Sequence, residues 1–179
     1  MSELDRQLER WSVQHRTEPF DTLFTFLSYI GSFGAVWLAI AAVVAFYLRR
    51  PTALPLVFLA VLLGDGITSG LKVTFDRVRP SDRFDEPEPL LRVAHTPSFP
   101  SGHAATSFAC AATLAIYVTR RVSIGLYVLA ALIAWSRVYV GAHYPFDVLV
   151  GALIGLAIAT ALRLLPGALR RLLPPQQPG

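Results

Sequence analysis

Only one of the 179 residues is cysteine, Cys110. A single thiol excludes an internal disulfide and any metal site built from clustered cysteines. Its place inside an apolar run reads as a packed core or lipid-facing residue. Charge is scarce as well: Asp, Glu, Lys and Arg make up 16% of the chain, against about 25% in an ordinary soluble domain. There is no Asp-rich or Glu-rich cluster of the kind that holds Mg²⁺, so neither a metal nor another cofactor is expected. Apolar residues take up the room, at 54% hydrophobic with a mean hydropathy of +0.50. That is too much apolar surface for a soluble enzyme or a disordered chain to hide from water. The net charge of +4 hints at nucleic acid, but the placement of the charges argues against such a partner.

A helix crossing a hydrocarbon core of roughly 30 Å needs about 20 apolar residues. Residues 22–48 carry no charge and qualify outright, and residues 52–71 are interrupted only by Asp65. Three further runs, 104–119, 122–135 and 148–162, reach spanning length if the polar motifs at their ends sit at the membrane interface. The expected fold is therefore all-α, an integral membrane bundle of about five transmembrane helices preceded by an amphipathic helix. In that first segment Leu4, Leu8, Trp11 and His15 recur at helical spacing among Glu3, Asp5, Arg6, Glu9 and Arg10. It suits either a helix lying in the interface or a soluble cap on the first membrane helix, and it lacks the form of a signal peptide. The organisation expected is an N-terminal segment 1–21, a transmembrane domain 22–165 and a cytoplasmic tail 166–179.

Alternation of the spans puts Arg49, Arg50, Arg120, Arg121, Arg163, Arg170 and Arg171 on one side, with no acidic residue among them. The other side holds the N-terminus and segments 72–103 and 136–147, with every acidic residue except Asp65, which lies inside the second run. Arg-Arg pairs at helix ends mark the cytoplasmic face, although Arg6, Arg10 and Arg16 weigh the other way. The expectation is a multi-pass plasma or inner membrane protein with its C-terminus inside and its polar segments outside.

Three polar clusters then fall on that outer face. In the first, Lys72 and Arg79 stand seven apart, on one face if the helix continues, and Pro80 stops the helix there or just beyond. The second is Pro100-Ser101-Gly102-His103, where Ser101 is a good N-cap, Gly102 permits close backbone approach, and a helix start attracts anions. The third is Ser136-Arg137, five residues, then His143-Tyr-Pro-Phe-Asp147, with Asp147 close enough behind His143 to bond one ring nitrogen. Lys72, Arg79 and Arg137 would bind a compact, multiply charged oxyanion. Two histidines offer a nucleophile and a proton donor. The chemistry implied is metal-independent phosphoryl transfer through a phosphohistidine, with cations neutralising the transferring oxygens.

Lys72-x6-Arg79-Pro80, Pro100-Ser101-Gly102-His103 and Ser136-Arg137-x5-His143-x3-Asp147, separated by 19 and 32 residues, resemble the three-part signature of the type 2 phosphatidic acid phosphatase superfamily. Its members include lipid phosphate phosphatases and polyprenyl-diphosphate phosphatases. The resemblance implies that His143 attacks phosphorus and is oriented by Asp147. It implies that His103 protonates the leaving group and later activates water, while Lys72, Arg79, Arg137, Ser101 and the Gly102 backbone grip the phosphate. Membrane members commonly have six spans, so residues 2–20 stand where a first helix would be. The expected substrate is a lipid phosphate in the bilayer: a polyprenyl phosphate or diphosphate first, then phosphatidylglycerophosphate, phosphatidic acid or a polyprenyl-linked sugar phosphate.

Secondary positions complete the reading. Lys72, Asp76 and Arg79 could form a plain ion-pair ladder. Arg77 is expected at the rim of the site, as a secondary phosphate or headgroup contact. Asp65, seven before Lys72, is costly inside a membrane and is expected to pair with a buried polar group or position Lys72. The 81–99 connection reads as an outer loop with His95 solvated, Trp11 and Tyr144 as interface anchors, and Tyr139 as a residue of the mouth. An anion transporter and a catalytically dead scaffold remain as other classes. Oligomeric state is not legible.

Overall fold

The computed structural model describes residues 3–84, 87–92 and 96–164. Asp85, Glu86 and His95 of the outer connection, and the 166–179 tail with Arg170 and Arg171, lie outside the described residues. Every regular element among the described residues is helical: α1 (Glu3–Gln14), α2 (Glu18–Ile30), a 3₁₀ turn (Ser32–Gly34), α3 (Ala35–Tyr47), α4 (Ala53–Phe75), α5 (Pro80–Arg83), α6 (Gly102–Leu114), α7 (Arg120–Tyr139) and α8 (Pro145–Leu164). Proline opens α5 and α8 at the first helical position, where its missing N–H has no partner to lose.

Among the described residues three helical stretches are long and apolar enough to cross a membrane: the Ala53–Arg83 stretch that holds α4 and α5, α7 and α8. The uncharged 22–48 run is not one straight span. It breaks at Gly31–Gly34, where Phe33 (φ 55°) and Gly34 (φ 69°) take left-handed backbone, and α2 and α3 together form a candidate span bent by 59°. The 104–119 run yields a helix of only thirteen residues, α6.

That short helix is the axis of the bundle, with ten of its thirteen residues buried and α4, α7 and α8 packed around it. Small side chains let the neighbours close in. A Cβ added at Gly155 would collide with the Ala105 carbonyl oxygen and stand 2.8 Å from the Ala109 nitrogen. One added at Gly151 would collide with the Ser101 carbonyl oxygen, and one at Gly64 would lie 3.1 Å from the Thr106 Cα. Close backbone approach of this kind is how membrane helices gain packing energy without a hydrophobic drive. Large apolar residues instead point outward, among them Phe26, Phe46, Phe58, Leu149 and Leu153, which suits lipid rather than water around the bundle.

The N-terminal helix has an unusual orientation. Its polar residues Asp5, Glu9 and Ser12 are buried with Val13 against α7 and α8, while Leu4, Leu8 and Trp11 are exposed. The apolar stripe faces outward and the carboxylates face the protein.

Candidate active site

Along α4, Asp65, Thr68, Ser69 and Lys72 recur at helical spacing and line one cavity of about 670 Å³. Lys72 and Arg79 do not share a helix face, contrary to the reading from their spacing. The helix ends at Phe75, Asp76 turns left-handed (φ 38°, ψ 46°), and Arg79 sits in extended backbone before α5. The two cations reach the same cavity across this turn. Asp76 is exposed at the turn and its N–H closes the helix on the Lys72 carbonyl at 3.1 Å.

The five residues between Arg137 and His143 have a physical reason. Gly141 takes φ +81° just after α7, a conformation that favours glycine. The chain reverses so that the Ala142 and His143 N–H groups both donate to the Arg137 carbonyl, at 3.0 Å each. The same residue thus offers its guanidinium to the cavity and its carbonyl to the histidine backbone.

His143 is almost fully buried (2% exposed). Its Nε2 accepts a hydrogen bond from Arg79 Nη1 at 3.2 Å, which places the ring proton on Nδ1 by the logic of the network. Nδ1 faces Asp147 Oδ2 at 3.6 Å. This is longer than the hydrogen bond expected from the spacing, and catalytic contacts in empty sites commonly tighten only when substrate binds. Asp147 Oδ2 meanwhile accepts the Tyr144 N–H at 3.0 Å, half of a capping box at the start of α8. Burial, followed by the charges of Arg79, Arg137 and Lys72, holds the His143 imidazole well below the ordinary histidine range. It is therefore neutral at physiological pH, as a nucleophile must be.

Across the cavity stands His103, the second residue of α6, with Nε2 3.3 Å from Ser32 Oγ. Arg79 is anchored through Nε to the Thr96 carbonyl at 2.6 Å and through Nη2 to Thr96 Oγ1 at 2.9 Å. Arg137 donates to Ser28 Oγ, and its buried Nε has no hydrogen-bond partner among the described residues, a donor left for a ligand.

Of the residues singled out from sequence, Lys72, Arg79, Gly102, His103, Arg137, His143 and Asp65 line this one cavity. Asp147 stands behind His143 and does not line it. Ser101 does not line it either: buried, it accepts the Ala104 N–H as the N-cap of α6. Asp65 pairs with Thr106, whose hydroxyl donates to Oδ1 at 3.0 Å. Arg77 is turned away from the cavity and donates to Asp147 and Asp5, so its expected place at the rim is corrected. Tyr144 is fully buried and no interface anchor. Tyr139 is not at the mouth; its hydroxyl donates to Asp21 Oδ1 at 2.7 Å, tying α7 to α2. Sequence reasoning missed Thr68 and Ser69, although a polar stripe on an apolar helix was there to find. It also missed Ser28, Ser32, Thr96 and Thr106, single hydroxyls with no local signal.

The match to known proteins follows this geometry. A model of the PAP2 superfamily matches residues 52–171, which include α4 to α8. The chain belongs to the PAP2 superfamily. The undecaprenyl-diphosphatase of Sulfolobus acidocaldarius is 35% identical over 138 residues, 74% of this chain and 64% of that protein. The chain thus spans just under two thirds of that relative's length. Among solved structures, Aquifex aeolicus LpxE superposes with a TM-score of 0.79 at 31% identity, covering 89% of this chain and 94% of that one. The transmembrane PAP2-type phosphatidylglycerolphosphate phosphatase of Bacillus subtilis superposes with a TM-score of 0.73 at 26% identity, over 89% and 83%. This PAP2 chain is an all-helical membrane protein.

Proposed function

We propose that this PAP2 protein is a lipid phosphatase that removes a terminal phosphate through a phosphohistidine on His143, without a metal. The observation that carries the reading is one cavity in which three cations and two histidines converge, with Arg79 bonded to the nitrogen that would attack. A phosphate bound by Lys72, Arg79, Arg137 and the backbone at Gly102 takes over the Arg79 bond and frees the Nε2 lone pair. Nε2 forms the bond to phosphorus as the bond to the leaving oxygen breaks, and His103 gives that oxygen its proton. Asp147 balances the positive charge that develops on the imidazole. Water then attacks phosphorus, His103 takes its proton, and the N–P bond breaks to release phosphate and restore both histidines. A dianion among three cations also offsets most of their field at His103, so substrate binding itself favours the proton that the first step uses.

Polyprenyl phosphates and diphosphates are the leading substrates, in line with the name of the Sulfolobus relative. A second reading rests on the cavity wall beside the cations. Asp65, Thr68, Ser69 and Thr106 suit the hydroxyls of a glycerol or sugar bearing the phosphate, whereas a carboxylate repels a second phosphate. For the sidedness we infer a site on the extracytoplasmic face and a C-terminus inside, a reading supported by the Arg pairs at the opposite helix ends.

The test is phosphate release from a polyprenyl diphosphate, a polyprenyl monophosphate, phosphatidic acid and phosphatidylglycerophosphate, in detergent with excess chelator. The reading expects release by the wild type and none by His143→Ala. Turnover that required added Mg²⁺ would refute the mechanism. Preference for the glycerol headgroup over the diphosphate would select the second reading.

A further inference from the structure

Arg77 lies two residues before the phosphate-binding Arg79, yet it serves the opposite side of the nucleophile. One guanidinium nitrogen donates to Asp147 Oδ1 and the other to Asp5 Oδ2 on α1. The guanidinium carbon sits 4.2 Å from the centre of the Tyr144 ring. The remaining oxygen of Asp5 accepts the Phe146 N–H at 2.8 Å, so α1 caps the first turn of α8 from outside. Both carboxylates are buried, Asp5 at 5% and Asp147 at 0% exposure. A buried ion triad is a poor way to gain stability, because desolvation offsets most of the attraction and apolar residues of the same volume do as well or better. Its placement suggests another use. With Oδ1 held by Arg77, Asp147 can present only Oδ2 to the Tyr144 amide and to His143 Nδ1.

We propose that Asp5 and Arg77 are positioning residues for the His143–Asp147 pair, making the N-terminal helix a working part of the active site although it lies outside the matched family region. Asp5 orients Arg77, Arg77 fixes the rotamer of Asp147, and Asp147 aims the imidazole at phosphorus. The inference rests on the phosphohistidine reading for its kinetic consequences and on geometry alone for its electrostatic ones. Around His143 the charged groups are Lys72 on α4, Arg79 before α5, His103 on α6, Arg137 on α7 and Asp147 on α8. Asp82 on α5 acts on Arg79; Glu9 on α1 and Arg83 on α5 flank Tyr144. Against this fixed background Asp5 and Arg77 act with opposite sign. Removing the Asp5 charge leaves Arg77 to neutralise Asp147 more fully, and removing the Arg77 charge leaves Asp147 unopposed.

The experiment compares wild type with Asp5→Asn, Asp5→Glu and Arg77→Gln in the full-length protein. Steady-state kinetics with the best lipid of the panel, the pH profile of kcat/KM, thermal stability in detergent and the NMR titration of His143 are measured. The expected result is a fall in kcat of about 10- to 100-fold for Asp5→Asn and Arg77→Gln, the scale of a misplacement of roughly 1 Å. KM should stay within about threefold of wild type, and Asp5→Glu should recover part of kcat. The His143 midpoint should move down in Asp5→Asn and up in Arg77→Gln. Wild-type kcat in both variants, a change confined to KM, or midpoints that move together or not at all would overturn the proposal. If Arg77→Gln fails to fold, the isosteric Asp5→Asn carries the test alone through its downward midpoint. If the wild type releases phosphate from no lipid, the phosphohistidine reading fails separately, and the titration still decides whether these two residues act on His143.

Discussion

Three buried ionisable residues, His143, Arg79 and Glu9, carry the sharpest expectations. His143 is neutral because burial and three nearby cations penalise its protonated form. The NMR titration of His143 in the free enzyme should therefore have its midpoint well below about 6.5, the ordinary histidine value, and a midpoint near that value would show an unshifted imidazole. Arg79→Lys keeps a charge but loses the planar fork that holds Thr96 and His143; we expect kcat/KM to drop by about 10²- to 10³-fold, measured with the same lipid. Glu9 behaves differently. Burial pushes its carboxyl up to about 7, and Oε2 has no hydrogen-bond partner among the described residues. Below pH 4.5 the group is protonated whether the chain is folded or not, and it costs nothing. Between 4.5 and about 7 only the unfolded chain releases the proton, so stability falls as pH rises. Glu9→Gln should therefore raise the melting temperature at pH 8 and leave it unchanged near pH 4, as read by thermal scans at both pH values.

At the level of elements, α6 depends on the glycines beside it. Thirteen residues are too few to span a bilayer core of roughly 30 Å, and the helix contributes its N-terminus to the site instead. Ser101 spends its hydroxyl on the cap, and its own N–H donates to the Asp147 carbonyl at 3.0 Å, which couples the start of α6 to the start of α8. Gly155 and Gly151 hold α8 against that junction. Gly155→Val should cost about 2 kcal/mol or more by overpacking against backbone that cannot yield, seen as a lower melting temperature in detergent. A tolerated valine would mean that α6 and α8 are not in such close contact. The bend between α2 and α3 also serves the site, since Gly31, Ser32 and Phe33 line the cavity beside His103.

For the molecule as a whole, small residues bring the central helices together, many large apolar residues face outward and the chemistry gathers at one end. Arg49, Arg50, Arg120 and Arg121 sit at the other end, at the α3–α4 and α6–α7 connections. If the positive end faces the cytoplasm, a cysteine at position 88, in the connection beside the site, is reachable from outside. Cys110, the only native thiol, is fully buried and gives little background. Glu88→Cys should react with a membrane-impermeant maleimide in intact cells; labelling only after the cells are opened would invert the topology.

Local pattern was enough for a helical membrane bundle and for the residue types of the site. Uncharged runs and the spacing within Lys72-x6-Arg79, Ser101–His103 and Arg137-x5-His143-x3-Asp147 are properties of neighbouring residues, and a short stretch of sequence carries them. Tertiary packing decided the rest. Arg77 and Arg79 are two residues apart and extended backbone sends them to opposite sides of His143, which no periodicity foretells. Ser101 reads equally well as a cap or a phosphate ligand until α8 is in place to bury it. The apolar stripe of α1 was legible, but the partner of Asp5 was not, because that contact joins residues 72 positions apart through helices whose packing only the folded bundle defines. Side-chain identity determined what chemistry the chain could perform, and long-range packing determined which of those side chains faces the phosphate and which stands behind to hold it there.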